Sequence, residues 1–169
     1  GGDFQPSRQP AFEKDADFED TALAFFDADG DGDPDLAVGS GGNHRPTGSR
    51  LLNARLYLND GKGFFARNDQ ALPTTGFNAA VVVPLDFDAD GDLDLFVGSR
   101  SVPGKYGVPP RHFLLQNDGS GNFKNVAKQA APDFARLGMV TAAKWVNMTG
   151  DERPELVVVG EWAGPQIFE

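Results

Sequence analysis

Apolar residues in this chain fall into short runs, not helical stripes. Three runs, residues 22–26, 79–85 and 139–146, each lead into a polar stretch rich in Asp or Asn. A second short run leaves each stretch, at residues 36–38, 95–97 and 156–159. Runs of this length bounded by turn residues read as strands. Val81-Val82-Val83 is continuous where a half-exposed strand would alternate, which predicts burial on both faces. Connections rich in Gly and Pro follow at residues 40–53 and 99–111, and each ends in a hairpin with an Asp-Gly turn. The hairpins are Leu56-Tyr57-Leu58-Asn59-Asp60-Gly61 to Phe64, and Leu114-Leu115-Gln116-Asn117-Asp118-Gly119 to Phe123. Helical periodicity is weak, and residues 125–136 have room for a turn or two at most.

These elements repeat. The polar stretches begin at residues 27, 86 and 147, a period of about 60 residues, the spacing of a repeat architecture. Four short strands per period predict an all-β fold, a β-propeller segment of four-stranded antiparallel blades. The expected division is residues 1–20 as the tail of a preceding blade or a linker, 21–78 and 79–137 as two full blades, and 138–169 as a partial third. Closed propellers need about four to eight blades. The segment is therefore expected to meet the remaining blades of a larger ring, or to associate with itself.

Charge changes this picture locally. The chain carries a formal charge of -10. Ten of its acids lie in two loops of one register: Asp27, Asp29, Asp31, Asp33 and Asp35, then Asp86, Asp88, Asp90, Asp92 and Asp94. Elsewhere 15 acids face 15 bases, and without a basic patch nucleic acid is not an expected partner. Alternating Asp residues around a Gly turn repel one another unless a cation sits among them. Their oxygens suit a hard divalent ion, above all Ca²⁺. The third stretch is eroded, with Asn147, Thr149, Asp151 and Glu155 as side-chain candidates and Arg153 between the last two. The loops are not EF-hands, because the twelfth residues, Val38 and Val97, lie in strands where that motif needs a bidentate acid. Cysteine is absent, and no apolar run approaches the roughly 18 residues of a membrane span.

The acidic loop with its exit, Leu36-Ala37-Val38-Gly39-Ser40 and Leu95-Phe96-Val97-Gly98-Ser99, resembles the FG-GAP and VCBS repeats of calcium-binding β-propellers, integrin α-subunit heads among them. Gly138-Met139-Val140-Thr141 and Val159-Gly160-Glu161-Trp162 resemble bacterial exported proteins of the ASPIC/UnbV type, relatives of cartilage acidic protein. The resemblance covers residues 20–169. It implies that loop positions 1, 3, 5 and 9 ligate Ca²⁺ through side chains and position 7 through its carbonyl. Carried over, the sites are Asp27, Asp29, Asp31, the Asp33 carbonyl and Asp35, and Asp86, Asp88, Asp90, the Asp92 carbonyl and Asp94. In the third copy Arg153 supplies the carbonyl, and two neutral ligands with a longer Glu leave a weak site. It also implies secretion or display at a bacterial cell surface.

For function, the expectation is a calcium-stabilised binding or adhesion scaffold that recognises a protein or a glycan through rim loops, and not an enzyme. Rim loops on a rigid scaffold carry recognition, and here they hold Arg45, Arg50, Arg100, Lys105, Tyr106 and Arg111. The alternative is a carbohydrate-active protein, lectin or polysaccharide lyase, using the same rim. His44 and His112 read as surface loop residues. Glu161 beside Trp162 is the best uncommitted acid–aromatic pair, read first as blade packing. No nucleophile elbow, phosphate loop or zinc spacing is present.

Overall fold

The computed structural model describes residues 2–151 and 153–169. Their strands are β1 (Asp20–Phe26), β2 (Asp35–Ser40), β3 (Arg55–Asn59), β4 (Phe65–Asn68), β5 (Asn78–Leu85), β6 (Asp94–Ser101), β7 (Phe113–Asn117), β8 (Phe123–Asn125), β9 (Met139–Val146), β10 (Glu155–Glu161) and β11 (Ala163–Phe168). They form three antiparallel sheets in the orders β1-β2-β3-β4, β5-β6-β7-β8 and β9-β10-β11. β5 packs against β1 and β2, and β9 against β5 and β6, so successive sheets stack face to face through their first strands. The fold is all-β, an unclosed row of propeller-like blades.

The alternation of side chains along β6 explains why its run is apolar throughout. Leu95 and Val97 face the first sheet, in a core with Ala24, Phe26, Leu56 and Leu115. Phe96 points the other way, into a core with Phe134, Val140, Leu156 and Val158. The exit motif Val-Gly-Ser has a steric cause. A Cβ on Gly98 would lie 2.7 Å from Val81 and 2.8 Å from Val140, and one on Gly39 would lie 3.0 Å from both Ala79 and Val82. The sheets approach too closely there for any larger residue.

Several expectations change. Residues 2–19 hold no strand. A short helix, α1 (Pro10–Lys14), lies on the outer face of the first sheet, where Phe12 meets Tyr57 edge to face at 5.0 Å and covers Leu36 and Val38. Asp15 secures it by accepting from the Tyr57 hydroxyl at 2.6 Å and pairing with Arg67 at 2.6 Å. The third sheet has no counterpart of the connections at residues 40–53 and 99–111 among the described residues, and β10 turns tightly at Trp162 into β11. Leu156 and Val158 are buried, so that strand does not offer a fully apolar outer face. Among the described residues, exposed apolar side chains on the sheets include Leu23 and Phe25 of β1 and Val159 and Ile167 of the third sheet. Between β8 and β9 the chain makes the helical turns expected within residues 125–136: α2 (Ala127–Ala130) and a short 3-10 segment that plugs Phe134 into the second core.

His112 is buried, not a surface residue. Its Nδ1 accepts from the Ser99 N–H at 3.1 Å, so Nε2 carries the proton and donates to the Gly138 carbonyl at 3.0 Å, joining the second sheet to the third. Burial lowers its pKa to about 4, against a small opposing effect of the Gly138 bond. Between that value and the unfolded value of about 6.5 the unfolded chain binds more protons, so stability falls as pH drops through this window. We expect His112→Gln to remove about 3 kcal/mol of the difference in stability between pH 7 and pH 4. Urea unfolding of both proteins in calcium measures it, and parallel pH profiles would refute it.

Candidate metal centres

Both acidic loops fold by the same local rule, in which short Asp side chains accept from backbone N–H groups a few residues on. Asp27 accepts from Gly30 at 2.8 Å and Gly32 at 2.9 Å, and Asp31 accepts from Asp33 at 2.9 Å. In the second loop Asp86 accepts from Asp90 at 3.2 Å and Gly91 at 3.0 Å, and Asp90 from Asp92 at 3.0 Å. Glycines take the left-handed positions except at Ala89, φ 60°, which stands where the first loop has Gly30.

The last Asp of each loop does most to fix the site. Asp35 is wholly buried and bridges the N–H of Ala28 at 2.9 Å and that of Asn59, on β3, at 2.8 Å. Asp94 repeats this with Phe87 at 3.1 Å and Asn117, on β7, at 2.7 Å. Each therefore clamps its loop to the third strand of the sheet. Burial raises the pKa of Asp35, and raises that of Asp94 to about 6, with neighbouring loop acids adding to the shift and the two N–H bonds opposing it. Among the described residues, no ion pair involves either carboxylate.

Oxygens of Asp27, Asp29 and Asp35 lie within 4.8 Å of one another, and those of Asp86, Asp88 and Asp94 do the same. These are positions 1, 3 and 9. Asp31 and Asp90, at position 5, stand outside the trios. Asp33 and Asp92, at position 7, turn their carboxylates toward the hairpin turns, where a Cβ on Gly61 or Gly119 would lie 2.4 or 2.5 Å from them. The glycines of the repeated Asn-Asp-Gly turns thus make room for the loops. Asn59 and Asn117 of the same triplets hold the clamping carboxylates; the sequence repeat marked them but gave no role. An all-oxygen donor set with a buried, uncompensated carboxylate fits a hard divalent cation.

The third loop keeps the scaffold but not the charge. Asn147 accepts from Gly150 at 2.6 Å, Asp151 from Arg153 at 2.9 Å, and Glu155 from Met148 at 2.8 Å, in the same relative positions. The Asn147 amide also donates to the Asp151 carbonyl. A hydrogen-bond donor thus occupies a position where the other loops have only acceptors.

Residues 27–97 match the family model described as FG-GAP-like repeat. The chain is also similar to phosphatidylinositol-glycan-specific phospholipase D of Homo sapiens, with 29% identity over 165 residues, and of Bos taurus, with 31% over 159. Each match covers 84% of this chain but 18% of the relative, so the chain spans less than a fifth of those proteins. The matched interval opens at Asp27 and closes at Val97, running from the first acidic loop into the strand that leaves the second. The chain thus carries an FG-GAP-like repeat region set in a row of propeller-like sheets.

Proposed function

We propose that this chain is a calcium-stabilised stretch of propeller blades that works as an extracellular binding scaffold of an exported protein. The observation that carries the reading is the pair of carboxylate trios, each closed by a buried Asp that clamps its loop to the third strand. A cation there neutralises a charge cluster inside the fold and locks three strands together. That is a structural role. A carboxylate committed to a cation and to two N–H groups is a poor general base, which supports binding over catalysis. The hydrolase name of the relatives belongs to whole proteins of which this chain matches 18%. Antiparallel pairing puts the connections after β2 and β6 at the strand ends opposite the acidic loops, which leaves them free to recognise a partner.

Calorimetric titration of the calcium-free protein with CaCl₂ should show two sites, with dissociation constants near ~10⁻⁴ M, the range of extracellular modules. Mg²⁺ should compete poorly, since it demands a tight octahedron. Asp151→Ala should leave the stoichiometry unchanged, whereas Asp29→Ala should remove one site. A titration without heat, or one site lost with Asp151, would overturn the assignment.

A further inference from the structure

Trp162 is 78% exposed, and its backbone sits at φ 59°, in the left-handed region. A bulky residue there costs energy and, at this exposure, gains little packing in return. Its ring is nonetheless held in place. It meets Tyr106 edge to face at 5.6 Å and lies over Gly107, where a Cβ would be 3.4 Å away. Glu161, the preceding residue, accepts from Arg100 Nε at 2.8 Å and from the Tyr106 hydroxyl. The β6–β7 connection and the β10–β11 turn are thereby tied together on the face opposite the acidic loops.

Beside this rim lies a cavity of about 290 Å³ whose lining includes Asn43, Asn78, Arg100, Ser101 and Tyr106. Asn78 is 6% exposed, and its Nδ2 donates to Ser101 Oγ at 2.8 Å and Asn43 Oδ1 at 3.1 Å. Its Oδ1 is buried and accepts from no group of the protein among the described residues. A buried acceptor without a partner is costly, and a small shift of the Asn78 amide toward the cavity it lines would let a ligand hydroxyl supply the missing donor. Arg100 and Tyr106 line the cavity and also touch the Glu161–Trp162 pair, so the two features form one surface.

We propose that this surface is a subsite for a neutral hexopyranose at the end of a glycan. A pyranose presents C–H groups on one face and hydroxyls around its edge. The exposed indole offers an apolar plane for the first, and the Asn78 carbonyl, the Arg100 guanidinium and the Glu161 carboxylate offer partners for the second. Arg100 and Glu161 cancel each other's charge, which selects a neutral sugar over a uronic or sulfated one. The volume lies near the lower bound of ligand pockets and takes one ring, not a folded peptide. The proposal rests on the scaffold reading, since it needs all three sheets held in register.

The test is saturation-transfer NMR on the calcium-loaded protein with the methyl α- and β-glycosides of glucose, galactose and mannose. At least one should receive saturation. Trp162→Ala should weaken that glycoside by about tenfold or more, and Trp162→Phe should restore most of the loss. Because Trp162 is exposed, the melting temperature of Trp162→Ala in calcium should match the parent, which separates lost contact from lost fold. No transfer to any of the six, binding that survives Trp162→Ala, or binding confined to charged glycans in an array would overturn the subsite. Calcium-dependent melting of the same samples reads the scaffold independently: a calcium shift without sugar binding refutes the subsite alone, and no shift refutes the scaffold.

Discussion

Chelating calcium from the loaded protein should lower its melting temperature by roughly 10–20 °C. An ion that binds the folded state alone stabilises it by RT ln(1 + [L]/Kd), about 2.7 kcal/mol per site at a hundredfold excess. Two sites give about 5 kcal/mol, and a chain of this size loses about 2–4 °C per kcal/mol. The effect should be large because the cages are costly when empty. Three carboxylates converge within 4.8 Å in each loop, and Asp35 and Asp94 are buried without a cationic partner among the described residues. Scanning calorimetry with calcium and with EDTA measures the shift. A difference of a degree or two would mean that the loops hold their shape through N–H bonds alone. Asp88→Ala should remove about half of the shift, because it leaves the first loop intact.

What the sequence could show follows from which forces are local. The acidic loops were legible because ligand spacing and Gly turns are encoded within nine residues. The blade period was legible because three copies agree. Val81-Val82-Val83 announced a strand between two cores, and Val82 lies in the first while Val81 and Val83 are partly buried against the second. Other features depend on contacts distant in sequence. The helix at Pro10–Lys14 is five residues long, too short for an amphipathic pattern, and it is stabilised by Tyr57 and Arg67, over forty residues away. His112 looked like a loop residue because nothing nearby shows that Ser99 and Gly138 enclose it. Positions 3 and 5 of each loop looked equivalent, yet only Asp29 and Asp88 join the trios. The exposure of Trp162 was also hidden: Gly160, Gly164 and Pro165 flank the turn, but a Trp at its left-handed corner is not what such a turn usually holds.

The acidic loops also touch one another through the sheets. The chain of contacts runs from Asp35 to the Ala28 N–H, from the Ala28 carbonyl to Asn117, and from the Asn117 N–H to Asp94. Each step is a hydrogen bond of 2.7–2.9 Å. A cation that orders Asp35 therefore fixes the Ala28 peptide against the residue that supports the second trio. Repeat proteins draw much of their stability from such interfaces between neighbouring units.

Asn117 is the residue on which that link turns, and Asn117→Ala should cost about 2–4 kcal/mol. Its side chain is buried, and its amide donates to the carbonyls of Ala28 at 2.8 Å and Leu93 at 3.1 Å, while its Oδ1 accepts from the Asp118 N–H at 2.9 Å. Alanine keeps the backbone bond to Asp94, and the Asp118 N–H keeps the Asn122 carbonyl at 3.1 Å, but two carbonyls are left without partners, at about 1–3 kcal/mol for each group that stays dry. Asn59 is the internal control. It occupies the same place in the first sheet, yet its amide donates only to the Pro34 carbonyl at 3.1 Å and its Oδ1 accepts only from the Gly63 N–H at 3.2 Å, both exposed. Asn59→Ala should therefore cost about 1 kcal/mol or less. Because Ala28 lies in the first loop, Asn117→Ala should also weaken calcium binding there, although Asn117 is no ligand. Urea unfolding with calcium titration of both variants measures the two effects. Equal losses from Asn59 and Asn117, or first-loop affinity unchanged in Asn117→Ala, would show that the sheets bind their ions independently.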